Sequence, residues 1–209
     1  MQNDDSVMSA RLSMRYRFVF NWLPCLGLAI GSAVQAQGPA YDCTAARGIV
    51  ETLICHDPGL AALDRQMAEV YAAAERRASD EFPSVLKPGQ RGWVRSRNEC
   101  WKSESRRDCV GESYRLRIAE LQARYRLIEP VATATYVCPD KSEIGAAYFG
   151  TDPATLVAVR GDSVSLMYQQ PSASGTRYAG PNETLWEHQG EALIQWGYGA
   201  PEQTCRKQP

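Results

Sequence analysis

The sequence predicts two small folds in tandem, a disulfide-stapled α-helical bundle followed by a small antiparallel β-barrel. Three observations carry this. Between Tyr41 and Ile128 the apolar residues recur at helical spacing. Beyond Glu129-Pro130 the apolar period changes to two, with turn residues at short intervals. Of the seven cysteines, Cys43, Cys55, Cys100 and Cys109 accompany the helices, and Cys138 and Cys205 bracket the strand-rich part. The expected division is 1–36 export signal, 37–128 helical domain, 129–134 linker and 135–209 barrel.

The leader is expected from a basic start (Arg11, Arg15, Arg17), an uncharged run from Phe18 to Ile30 and the small-residue pattern Val34-Gln35-Ala36. An apolar run that short falls below the ~20 residues needed to span a bilayer. Trp-Leu-Pro before Cys25 is not the small-residue run of a lipidation signal. The mature chain is therefore expected to be periplasmic or secreted, with no stable membrane insertion.

In the helical part, Asp57-Pro58 reads as an N-cap and first helical residue, with Leu60, Leu63, Met67, Val70, Tyr71 and Ala74 following on one face. Pro83 and Lys87-Pro88-Gly89 are expected to break the chain before a helix around Trp93 and Val94. Asp108 is expected to cap a last helix carrying Val110, Tyr114, Ile118, Leu121, Tyr125 and Ile128. In the strand part, runs such as Thr155 to Arg160 and Ser163 to Gln170 flank the turn Arg160-Gly161-Asp162, and seven or eight strands fit the length.

Six cysteines in an exported chain read as three disulfides. Cys138 with Cys205 would tie the first strand to the last segment, a closure worth ~4 kcal/mol by chain entropy. Cys43 with Cys55 and Cys100 with Cys109 close short local loops, although four cysteines allow three connectivities. Zinc does not fit, because there is no C-x-x-C pair and the only histidines are His56 and His188. No cofactor is expected. An enzyme is not expected either: the two histidines fall in different domains, and paired cysteines offer no thiolate.

Residues 129–209 carry 5 Lys and Arg against 9 Asp and Glu, a net charge of about −4. That argues against nucleic acid as a ligand of this half and suits a cationic protein.

Cys43, Ile54-Cys55 with Asp57-Pro58, Leu60 to Leu63-Asp64, Tyr71, Gln90, Trp93, Arg97, Cys100, Cys109 and Tyr114 follow one another in an order and spacing that resembles the LprI-like N-terminal family of exported helical domains. Within that frame Trp93 and Tyr71 read as core, and Asp64 with Arg97 as a buried ion pair.

Tyr136-Val137-Cys138, Ser172 to Tyr178, Leu185 to Ala192 and Cys205 resemble the membrane-bound and periplasmic inhibitors of C-type lysozyme. The resemblance implies a C-type lysozyme as partner. It also implies that Ser174 of the Ser174-Gly175 turn enters the lysozyme cleft beside a lysine from the next loop. Here that lysine position holds His188, and the glycine after it is Gln189. Arg177 and Tyr178 would brace the loop, and Trp186 reads as core. Imidazole has a reference pKa of ~6.5, so a plug that relies on it should weaken with rising pH. The competing reading is a non-catalytic envelope module that binds cell-wall glycan or another envelope protein.

Overall fold

A computed structural model describes residues 38–209 apart from Phe82. The expected leader, with Cys25, lies outside the described residues. Four helices come first: α1 (Ile49–His56), α2 (Pro58–Glu81), α3 (Pro83–Asn98) and α4 (Arg106–Arg124). Asp57 starts α2 as its N-cap, Oδ1 accepting from the Leu60 amide at 2.9 Å. Its other oxygen accepts from Arg107 Nε at 2.7 Å, which ties the start of α2 to α4.

Two helix boundaries differ from expectation. Lys87-Pro88-Gly89 is no turn, because α3 runs through it with Pro88 inside. Loss of one amide donor is tolerated where Leu86 on one side is buried and Trp93 on the other packs on the bundle core. Asp108 sits in the first turn of α4 rather than capping it, where its charge still favours the helix N-terminus. The helix also ends earlier than Ile128: Arg126 turns left-handed at φ 46° and Leu127 N donates to Gln122 O.

The bundle encloses Val50, Ile54, Leu60, Met67, Val110, Tyr114, Ile118 and Leu121. Inside it lies a polar group of three. The Tyr114 hydroxyl donates to Asp64 Oδ1 at 2.7 Å and accepts from Arg97 Nη1 at 2.7 Å, while Arg97 and Asp64 are 3.9 Å apart. Burial pushes the Tyr114 phenol well above its usual range, so it remains a proton donor to the carboxylate.

Eight antiparallel strands follow: β1 (Ala132–Val137), β2 (Glu143–Phe149), β3 (Thr155–Arg160), β4 (Ser163–Gln170), β5 (Thr176–Ala179), β6 (Glu183–His188), β7 (Glu191–Trp196) and β8 (Gln203–Lys207). They close into a barrel in chain order, β8 returning to β1 through Tyr136↔Lys207 and Val137↔Arg206. Closure leaves no free sheet edge. Strand β1 begins at Ala132, inside the stretch expected as linker. Alternation sends Tyr136, Ile144, Leu156, Ala158, Met167, Tyr178, Leu185 and Ile194 into the barrel.

Disulfides join Cys43 to Cys55, Cys100 to Cys109 and Cys138 to Cys205. The last closes a separation of 67 residues, a loop long enough for the cross-link to constrain the unfolded chain by about 4 kcal/mol.

Bundle and barrel share an apolar seam. Ala123 and Ile128 pack with Ala147, Phe149, Val157 and Leu166 on the outer face of β2, β3 and β4. Tyr168 Oη donates to Leu116 O at 3.0 Å across it.

Candidate functional site

Strand direction decides what meets at one end of the barrel. Strands β4 and β6 both run toward it, so the β4–β5 loop and the β6–β7 turn both lie there. The pairing Thr176↔Glu187 then sets Gly175 against the end of β6. Gly175 has φ +65°, and a Cβ at this position would lie 2.1 Å from Glu187 O and 3.3 Å from His188 Cβ. Ser174 and His188 therefore stand on adjoining segments, both exposed.

The serine loop is held to β6 by its backbone. Ser174 O accepts from Trp186 Nε1 at 2.9 Å and from Ser172 Oγ at 2.6 Å. That leaves the Ser174 side chain projecting from a loop whose carbonyl is already committed. Trp186 is thus a surface strut and not core, being 36% exposed on the outer face of β6. Arg177 lies opposite it in the register, also exposed. Tyr178 points inward, its ring edge-on to Tyr148 with centroids 5.5 Å apart.

His188 is the last residue of β6, directly across from Glu191 of β7. Gln189 (φ 52°) and Gly190 (φ 83°) make the two-residue turn between them. Both central residues are left-handed, the geometry of a type I′ hairpin, where glycine and asparagine are the natural occupants.

Beneath the rim lies a polar chain that periodicity could have revealed. Two residues after inward Leu185 comes Glu187, and two after inward Cys205 comes Lys207; alternation alone sends both toward the barrel mouth. They meet there, Lys207 Nζ donating to Glu187 Oε1 at 2.9 Å. Tyr148 Oη donates to Glu187 Oε2 at 3.1 Å and lies 2.8 Å from Tyr136 Oη. Lys207 N also donates to Gly190 O, so the final strand supports the histidine turn directly. The other C-terminal cation, Arg206, faces Glu191 at 3.6 Å.

Burial raises the Glu187 carboxyl, but hydrogen bonds from Lys207, Tyr136 and Tyr148 more than offset it and hold it below its ordinary value. A depressed folded-state pKa stabilises above the unfolded value and is lost as pH falls through the folded one. Glu187→Gln is therefore expected to cost roughly 1 kcal/mol at neutral pH and to flatten the fall in Tm between about pH 5 and about pH 3. Thermal denaturation across that range checks it; an unchanged acid profile would remove Glu187 from the account.

Among the described residues no three His, Cys, Asp or Glu side chains converge on a metal position. No helix of the described residues is long and apolar enough to cross a membrane.

Residues 136–203 match a family model described as membrane-bound lysozyme-inhibitor of c-type lysozyme. Lipoprotein LprI of Mycobacterium bovis is 33% identical over 164 residues, covering 76% of this chain and 80% of that protein. Lipoprotein LprI from two strains of Mycobacterium tuberculosis is similar to the same extent. No solved structure matches.

Proposed function

The chain belongs to the family of lipoprotein LprI, and from that premise we propose that it is an envelope protein inhibiting a C-type lysozyme, with the Ser174 and His188 turns as the plug. The observation that carries the reading is the adjacency of those two exposed turns at one rim of a barrel that matches the inhibitor model.

The chemistry follows from the target. A retaining glycosidase holds one protonated and one ionised carboxyl about 5 Å apart. The Ser174 hydroxyl both donates and accepts, so it can serve the protonated acid. Imidazolium supplies a charged donor to the ionised one. The mouth of the barrel does not oppose this, since Lys207 already neutralises Glu187 beneath the turn. Around His188 the charged groups are Glu191 across the hairpin with Arg206 upon it, and Glu187 with Lys207. The acidic balance of the barrel half favours encounter with a cationic enzyme.

The test is a titration of the mature chain against a C-type lysozyme, read as lysis of a sensitive cell suspension. Ser174→Ala and His188→Ala are each expected to weaken inhibition by about tenfold, the loss of one charge-assisted or cleft hydrogen bond. Unaltered inhibition by the double variant would refute the plug. The whole chain is the proper reagent, because removal of α4 would expose Phe149 and Leu166.

A further inference from the structure

The helical bundle carries a cleft that the rim does not use. It has a volume of about 460 Å³ and opens between the N-terminal segment, α2 and α3. That is within the range of small-molecule sites, roughly 300–1,000 Å³. Tyr41, Tyr71 and Trp93 supply aromatic walls, Met67 an apolar patch, and Asp64 and Arg97 part of the lining.

The charge and chemistry of the lining narrow the occupant. Asp42, Glu51 and Asp64 also border the cleft, three carboxylates against the single guanidinium of Arg97, which disfavours an anion. A cation finds every one of these carboxylates already engaged, Asp42 by Thr44, Glu51 by the Arg47 and Gly48 amides and Asp64 by Tyr114 and the Ala40 amide, while Arg97 covers the Trp93 ring at 5.3 Å from its centroid. What remains is a neutral ligand with one apolar face and both donors and acceptors. Arg97 is only 5% exposed, yet three of its five N–H groups suffice for its bonds to Tyr114 and Asn98. Two N–H groups, one on each terminal nitrogen, remain on a side chain that borders the cleft.

We propose that this cleft is a binding site for an N-acetylated hexosamine unit of a neutral glycan. The ring's C–H face would rest on Tyr41 and Tyr71, since Arg97 already covers the Trp93 ring. Its acetamide carbonyl would accept from Arg97, its methyl would lie against Met67, and its hydroxyls would donate to the carboxylates at the mouth. The site stands apart from the lysozyme-binding rim and does not depend on that reading.

The experiment titrates the full mature chain with tri-N-acetylchitotriose, followed by NMR, with maltotriose as the ring-bearing control that lacks the acetamide. Saturable shifts that include the Tyr41 and Tyr71 ring protons are expected, with maltotriose binding about tenfold more weakly for want of the acetamide hydrogen bond. Ala68, exposed on the cleft wall, offers a way to fill it: Ala68→Trp should weaken chitotriose binding by about tenfold or more through steric occupation while leaving lysozyme inhibition intact. Tyr71→Ala should weaken it similarly. Absence of saturable chitotriose binding by the parent chain, shifts that bypass Tyr41 and Tyr71, or equal binding of maltotriose would each overturn the proposal, whatever the rim does to lysozyme.

Discussion

Replacing Gly175 with valine is expected to abolish inhibition of a C-type lysozyme, by about a hundredfold or more in the inhibition constant, and to destabilise the barrel by roughly 2–4 kcal/mol. Two independent terms produce this. The backbone at 175 is left-handed at φ +65°, where a β-branched residue is strained. The new Cβ would also sit 2.1 Å from the Glu187 carbonyl oxygen, a backbone atom that cannot rotate away. Relief requires the β4–β5 loop and the end of β6 to part, and that separation moves Ser174 away from His188. Gly161 provides the control: its φ is +57° but nothing lies within 4 Å of its Cβ position. Gly161→Ala should therefore cost only the conformational term, about 1 kcal/mol, and leave inhibition unchanged. Tm and inhibition measured on both variants decide it; a Gly175→Val protein that still inhibits would mean that the two turns are not held together by this contact.

Arg97→Met is expected to destabilise the helical bundle by roughly 3–5 kcal/mol, because it leaves the Asp64 carboxylate buried without its cation. Asp64 is 9% exposed and among the described residues retains the Tyr114 hydroxyl and the Ala40 amide, both at hydrogen-bond distance. Neither carries a positive charge. Removal of both charges together, Asp64→Leu with Arg97→Met, should recover most of the loss, since an apolar replacement of a whole buried pair is often neutral. Urea unfolding of the two variants separates these cases through their midpoints. Equal destabilisation by the single and double variants would show that packing around Trp93 and Tyr114, rather than charge, is what the pair contributes.

Much of this architecture was legible before any coordinates. Local rules suffice for Asp57 at the start of α2 and for the two-residue period of the strands, because both depend on backbone geometry within a few residues. Other elements followed longer-range forces. A Lys-Pro-Gly sequence is a turn by propensity, yet Pro88 lies within α3 because the burial of Leu86 and the packing of Trp93 outweigh one missing hydrogen bond. Trp186 reads as core by composition, but register places it outside, where its indole proton holds Ser174 O. The residue type was informative and the face was not.

By itself the sequence determined the change from helical to alternating periodicity, the cysteines available for stapling, and the residues that could carry donors and charge. These are properties of neighbours along the chain. Tertiary structure alone decided that the serine loop lies against the histidine turn, that Glu187 finds Lys207 across the barrel mouth, and that α4 covers the outer face of β2, β3 and β4. Each of those depends on closure of the sheet and its register, which bring together residues tens of positions apart and which no local preference encodes.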